Sequence, residues 1–191
     1  MTDIHCSAPI GFAAVVDYWA GDLSPAEEDR IDEHVFTCAA CARELAAAEA
    51  LARGIATMAR EGRLHTVLSD AILNRLSADG VRIRMFTLEG SGIVPCAVWA
   101  DDDLIVSRIR ADFSGVDSVS IVTRQASGEE IRRVSDIAVR PGQREILNAF
   151  SAAQLRSLPA TQVHVTVTAQ VGTGDRTIAE YTLEHAGAFE R

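Results

Sequence analysis

A short stretch near the N-terminus carries side chains that bind soft metal ions. His34, Cys38 and Cys41 occur in the order HxxxCxxC, and His5 and Cys6 lie upstream. Zinc binds thiolate and neutral imidazole at the corners of a tetrahedron, so three such residues close together predict a structural zinc site. The fourth ligand must come from the upstream segment. We expect it to be Cys6, with His5 as the alternative.

Two other interpretations apply to the CxxC pair, namely packed helix cysteines and a redox-active dithiol of the thioredoxin type. A thioredoxin-like CxxC follows a strand in a βαβ unit, whereas Cys38 and Cys41 lie between two predicted helices. A reducing cytosol also favours metal over a disulfide at such a pair. The pattern therefore favours zinc, and Cys96, which lies apart, is expected to be a packed thiol.

The segments that must position these ligands have helical patterns. Apolar residues spaced i, i+3, i+4 and i+7 predict a first helix, namely Phe12, Val15, Val16 and Trp19. Ser24, Pro25 and Glu27 form a capping-box pattern that predicts the start of a second helix. A third, alanine-rich helix is predicted to begin around Cys38. The metal ligands are thus expected at the junction of the second and third helices.

A fourth predicted helix carries an apolar stripe that recurs every four residues and consists of Leu64, Leu68, Ile72 and Leu76. Such a stripe most often faces the core of its own domain. The other interpretation is an apolar face that binds a groove of a partner protein. The helical pattern ends at Asp79-Gly80.

After Gly80 the pattern changes to the alternation of apolar and polar residues that is typical of strands. Seven or eight short strands, separated by glycine-containing turns, predict an antiparallel sandwich or barrel, and we adopt the sandwich. A short helical insertion is expected at residues 151–158. The predicted fold is therefore α+β with two domains, a four-helix zinc-binding domain of residues 1–79 and an all-β sandwich of residues 81–191.

Charge and motif content exclude several classes of function. The 191 residues carry 27 acidic and 18 basic side chains, and the net charge of -9 argues against direct binding to nucleic acid or to an anionic membrane. No apolar run approaches the length of a membrane helix, so we expect a cytoplasmic protein. His164 and His185 stand alone, and no acid, base and nucleophile converge. We therefore do not expect an enzyme.

The stretch DYWAGDLSPAEEDRIDEHVFTCAACARELA, which contains HxxxCxxC, resembles the zinc-finger domain of zinc-associated anti-sigma factors. The resemblance covers residues 5 to about 60. In that family an upstream Cys or His, the histidine of the motif and both of its cysteines bind zinc. The resemblance therefore implies Cys6, His34, Cys38 and Cys41 as ligands. Cys6 lies slightly further from His34 than is usual in the family, which keeps His5 as the alternative.

What the resemblance implies is a domain that sequesters an extracytoplasmic-function sigma factor and represses its transcription programme. The stripe of Leu64, Leu68, Ile72 and Leu76 would then contact sigma. By residue 60 the chain carries ten acidic and four basic residues, which suits a basic partner. A second hypothesis adds a redox or other stress response, in which oxidation of the thiolates expels zinc.

The alternative function is a zinc-stabilised interaction or ligand-sensing module that does not act on a sigma factor. Association into a homo-oligomer is compatible with either hypothesis, and so is a sensing role for the β domain.

Overall fold

The computed structural model describes residues 6–21, 23–90, 92–171 and 174–189 of the chain. Helices occupy the N-terminal region and strands dominate the remainder, which confirms an α+β chain. The chain divides into two compact units. Unit 1 comprises Met1–Met58 and Asp70–Val81, and unit 2 comprises Ala59–Ser69 and Arg82–Arg191.

Four helices begin in the N-terminal region. They are α1 (Phe12–Ala20), α2 (Pro25–Thr37), α3 (Ala39–Arg60) and α4 (Asp70–Ala78). Helix α1 ends at Gly21, which has a left-handed backbone conformation with φ of 75°. Glycine adopts this conformation easily because it has no Cβ atom. Helix α2 begins at the predicted capping box, where the Ser24 backbone N–H and hydroxyl both donate to Glu27 Oε2, at 2.9 and 2.6 Å. These starts and stops follow from local residue types.

Unit 1 has a small core. Its buried apolar side chains include Val15, Ile31 and Leu76, while the buried positions of α3 within this unit are filled by the small residues Cys41, Ala52 and Ala56. Two polar contacts supplement this packing. Tyr18 donates to Asp32 Oδ1 at 2.5 Å, and the Arg75 guanidinium lies 5.7 Å from the centre of the Trp19 ring. So few large apolar side chains supply limited burial energy, which favours an additional staple.

Unit 2 contains nine strands within the described residues. They are β1 (Thr66–Leu68), β2 (Ile83–Leu88), β3 (Ile93–Trp99), β4 (Leu104–Arg110), β5 (Ser118–Gln125), β6 (Glu130–Ala138), β7 (Glu145–Ser151), β8 (Thr161–Val171) and β9 (Gly174–Phe189). One sheet has the order β1-β7-β4-β2 and the other the order β3-β9-β8-β5-β6. Both sheets contribute to a single hydrophobic core, so unit 2 is a two-layer sandwich.

The prediction of a purely antiparallel sandwich is wrong. Strand β2 runs parallel to β4, and β3 runs parallel to β9. The reason is that β2 and β3, although consecutive, belong to different sheets instead of pairing as a hairpin. Strand β2 therefore pairs with β4, the next strand but one, and β3 pairs with β9 near the other end of unit 2. The helical insertion is present as α5 (Ala152–Ser157), which brings the helices among the described residues to five.

The predicted fourth helix begins later than its apolar stripe. Helix α3 gives way to a turn at Gly62, with φ of 70°, and Thr66–Leu68 then pairs antiparallel with β7. Leu64 and Leu68 therefore belong to unit 2, and α4 starts only at Asp70. Strand pairing overrides the local helical periodicity here, and the predicted four-helix domain is not confirmed as a continuous segment. Across the described ranges, none of the helices combines the length and apolar character required to cross a membrane.

Candidate metal centre

Four potential ligands converge in unit 1. The sulfur atoms of Cys6, Cys38 and Cys41 and a ring nitrogen of His34 all lie within 4.8 Å of one another. His34 Nε2 lies 3.4 Å from Cys6 Sγ and 3.2 Å from Cys41 Sγ, so Nε2 is the nitrogen that faces the thiols. These are the four residues that the sequence predicts as ligands, whereas His5 lies outside the described residues.

Three different segments supply these side chains. His34 lies in the last turn of α2, and Cys38 follows this helix, its backbone N–H donating to the His34 carbonyl at 2.8 Å. Cys41 lies in the first turn of α3 and is buried. The sharp junction between α2 and α3 places the histidine and the two cysteines on one side. Cys6 reaches them from the segment that precedes α1.

The arrangement fits zinc by ligand type and by spacing. Tetrahedral zinc with bonds of about 2.3 Å to sulfur and about 2.0 Å to nitrogen places neighbouring sulfur and nitrogen ligands about 3.5 Å apart. The two Sγ to Nε2 distances in the structure, 3.4 and 3.2 Å, are close to this separation. Three thiolates and one imidazole form a closed structural set without a position for substrate. Zinc bound by these residues would join the leading segment to α2 and α3.

The local backbone prepares Cys38 to bind a cation. Hydrogen bonding from the backbone of Cys41, with further contributions from the Cys6 thiol and the backbone of Ala40, lowers the pKa of Cys38 to about 6. The thiolate, which is the form that binds metal, therefore predominates at neutral pH. Cys96 is the opposite case, because burial raises its pKa to about 11. As predicted, Cys96 is a packed thiol, located in the core of unit 2.

The residues predicted to contact a partner are not displayed on one helix. Leu64 and Leu68 lie in the segment of unit 2 around β1, and both are buried. Ile72 and Leu76 lie on α4, where Leu76 is completely buried. The expected continuous apolar face is therefore absent from these described residues. A role of the four residues in binding a partner stays a prediction.

Two features escaped the sequence analysis. Phe36 is 94% exposed near the end of α2, although its apolar character suggested no surface role. His185, which stands alone in the sequence, is buried in the interior of unit 2 with no hydrogen-bond partner for either ring nitrogen. Neither feature has a local sequence signal, because exposure and burial at these positions depend on tertiary packing.

Comparisons with known proteins bear on the N-terminal region. Residues 13–42 match a family model described as "Putative zinc-finger". No curated protein matches the chain. Among solved structures, the N-terminal domain of phage TP901-1 ORF48 is similar at a TM-score of 0.30 and 15% identity, over 54% of this chain and 97% of that one. A TM-score this low does not establish a shared fold.

The matched residues include His34, Cys38 and Cys41 but not Cys6, which the sequence predicts and the structure places at the site. Ligand type, spacing and family match agree on the metal and confirm the predicted zinc. The N-terminal region of this chain is a zinc-binding module with a Cys3His metal site, and residues 13–42 of it match a zinc-finger family.

Proposed function

We propose that this protein is a zinc-binding anti-sigma factor, which sequesters an extracytoplasmic-function sigma factor in the cytoplasm and represses transcription from its promoters. The observation that carries the proposal is the Cys3His site at the junction of α2 and α3, within a segment that matches a zinc-finger family. Zinc has a structural role in this proposal. It holds the helices in the arrangement that a partner recognises, and the function is regulatory rather than catalytic.

The surface of α2 next to the metal site supports a role in binding another protein. Asp29, Glu33 and Phe36 are all exposed and are spaced i, i+4 and i+7, so they lie on one face of the helix. We call these three residues the α2 face. The Phe36 side chain is 94% exposed. Exposure of a large apolar ring to water is unfavourable, and aromatic residues are enriched at protein interfaces.

The charge of the α2 face indicates the chemistry of the partner. Among the described residues, neither Asp29 nor Glu33 forms an ion pair with a basic side chain. Two uncompensated carboxylates beside an exposed phenylalanine fit a basic surface that contains an apolar pocket. Sigma factors use basic surfaces to contact DNA, and a protein that covers such a surface would block that contact. The same face could also serve a zinc-stabilised module that binds another basic protein, which is the alternative function.

A bacterial two-hybrid screen of the full chain against every sigma factor of its host tests the proposal. We expect an interaction with one extracytoplasmic-function sigma factor, and copurification of the two proteins under reducing conditions. The double variant C38S/C41S should lose the interaction together with zinc. Phe36→Ala should weaken it, whereas Ile93→Ala, which alters an exposed apolar residue of unit 2, should not.

Recovery of no sigma factor under reducing conditions, with zinc bound, would refute the anti-sigma function. An interaction that survives both the loss of zinc and Phe36→Ala would refute the α2 face as its site.

A further inference from the structure

Among the described residues of the sandwich, four core-facing positions hold polar side chains. Ser107 on β4, Thr123 on β5, Asn148 on β7 and His185 on β9 are all buried. Each lies two residues from a core residue of its own strand, Ile105, Ile121, Ile146 and Leu183 respectively, and therefore points to the same side. Burying polar groups between sheets costs free energy, and such violations of the apolar pattern are expected at functional sites.

Three of these residues line an interior cavity of unit 2. The cavity has a volume of about 500 Å³, and its walls include Ser107, Thr123 and His185. Most of the remaining wall is apolar and contains Ile105, Phe150 and Leu183. The exposed residues Ile131, Gln154 and Ser157 also line the cavity, so it opens to the surface beside α5 and β6. A space of this size with a few polar groups is typical of small-molecule sites.

Two histidines that line this cavity have buried ring nitrogens without a hydrogen-bond partner. His65 Nδ1 accepts a hydrogen bond from the Ser151 backbone N–H at 3.4 Å, so the proton of the neutral ring resides on Nε2. His65 Nε2 is buried and has no partner, and neither ring nitrogen of His185 has one. Because a neutral imidazole carries one N–H, each histidine contributes a donor without an acceptor, and His185 also contributes one acceptor nitrogen without a donor.

Arg132 adds a cation to the same wall. Its Nη1 donates to the Ala149 carbonyl at 3.0 Å, and its guanidinium lies 5.1 Å from the centre of the Phe150 ring. Within the described part of the chain, no carboxylate forms an ion pair with Arg132. Burial lowers the pKa of its guanidinium. Burial and the charge of Arg132 also lower the pKa of His65, which keeps that ring neutral. Among these groups, the hydrogen-bond donors without a partner outnumber the acceptors, and Arg132 adds a positive charge.

We propose that the cavity of unit 2 binds a small organic acid, whose carboxylate accepts hydrogen bonds from Arg132, His65 and His185 and whose apolar body packs against the surrounding aliphatic and aromatic side chains. A carboxylate supplies the acceptors and the negative charge that these groups lack. The apolar wall excludes a polyanion. This inference does not depend on the anti-sigma function.

Two other uses of the cavity are disfavoured. Cys96 also lines it, but burial raises the pKa of this thiol to about 11, so it is not a nucleophile at neutral pH. The histidines do not form a metal site with it, since the one group of three or more metal-binding side chains found among the described residues is that of unit 1. Reversible binding of an anion is the chemistry that the wall supports.

Titration calorimetry on the zinc-loaded full chain tests this proposal, with straight-chain carboxylates from hexanoate to dodecanoate as probes. Primary alcohols of the same chain lengths serve as uncharged controls. We expect one site per chain, with an affinity that rises with chain length, and at least about tenfold weaker binding of the matched alcohols.

Three variants locate the site. Arg132→Gln should weaken carboxylate binding at least about tenfold. Arg133→Gln is the matched control, because this exposed neighbour on the same strand is paired with Glu130 and should leave the affinity unchanged. His185→Phe retains a ring of similar size and removes two buried nitrogens that have no partner. It should raise the thermal midpoint of unfolding and weaken carboxylate binding. A purely structural residue would not produce these opposite effects.

Several results would overturn the proposal. They are the absence of binding by every probe, equal affinities for carboxylates and alcohols, or equal effects of Arg132→Gln and Arg133→Gln.

Discussion

The Nε2 atom of His34 lies 3.4 Å from the sulfur of Cys6, although 28 residues separate the two in sequence. This contact joins the segment before α1 to the end of α2, and Cys38 and Cys41 extend it to the start of α3. Unit 1 has few large buried side chains, so a metal that links three segments would contribute much of its folding energy.

Removal of zinc should unfold unit 1 selectively. We expect one zinc ion per chain by metal analysis, and a loss of helical circular dichroism when a strong chelator removes it, because the small apolar core alone does not order these helices. Cys41→Ser should lose zinc and show the same change without chelator. Cys96→Ser removes a thiol of unit 2 and should retain zinc. Retention of full helical signal in the zinc-free protein would contradict this expectation.

Cys6, rather than His5, should be the fourth ligand. Cys6→Ala should lower zinc affinity by at least about tenfold in a competition assay with a chromophoric chelator, since it removes one of four ligands. His5→Ala should leave zinc affinity unchanged. The reverse result would assign the position to the histidine.

The thiols of the zinc-free protein should react in a defined order. Cys38 becomes accessible when the loss of zinc unfolds unit 1, so iodoacetamide at pH 7 should alkylate it early. Cys96, whose pKa burial raises to about 11, should react last. Peptide mass spectrometry after short exposures measures both rates. Equal rates at Cys38 and Cys96 would be inconsistent with these environments.

Treatment of the zinc-loaded protein with an oxidant, followed by measurement of zinc release and sigma affinity, tests a redox response. If peroxide or diamide leaves zinc bound and sigma affinity unchanged, the zinc thiolates do not form a switch.

The capping box of α2 should make stability depend on pH. Hydrogen bonds from the Ser24 hydroxyl and backbone lower the pKa of Glu27 in the folded state. A lowered folded-state pKa stabilises the fold above the pKa of the unfolded chain, and this contribution is lost as the pH falls through the folded-state pKa. Glu27→Gln should therefore lower the thermal midpoint at neutral pH and have little effect in strong acid.

Glu44→Gln is the control for this pH dependence, because Glu44 lies on the exposed surface of α3 away from any helix start. A difference between Glu27→Gln and the unmodified chain that is independent of pH would argue against the capping role.

A side chain at position 62 should destabilise unit 2. The φ of Gly62 is 70°, and a Cβ atom there would lie 2.7 Å from Ser151 Oγ, the oxygen that caps α5 by accepting from the Gln154 backbone N–H. Gly62→Ala should destabilise unit 2 by about 1–3 kcal/mol in denaturant unfolding. Gly54→Ala, inside α3 where a Cβ meets nothing within 4 Å, should instead stabilise the helix by about 0.5–1 kcal/mol. Equal effects of the two substitutions would disprove the steric explanation.

Local signals predicted the N-terminal helices well. The predicted capping box at Ser24 marks the start of a helix through interactions within a few residues, and it forms in the structure as expected. The stripe from Leu64 to Leu76 has equally regular spacing, yet Thr66–Leu68 forms a strand. Its partner residues, Ala149, Asn148 and Leu147, lie some eighty positions away, so no local pattern could reveal this pairing.

The sequence by itself determined the metal and most of its ligands. His34, Cys38 and Cys41 are brought together by one helix junction, whose geometry depends on neighbouring residues alone. The tertiary structure decided the contact of Cys6, a residue 28 positions from His34, with the other ligands. It also decided which polar residues from several strands line one cavity. Cys96 and His185, for example, are register partners on parallel strands. Contacts of this kind depend on which strands pair, and strand pairing is decided by burial over the whole sandwich rather than by local residue types.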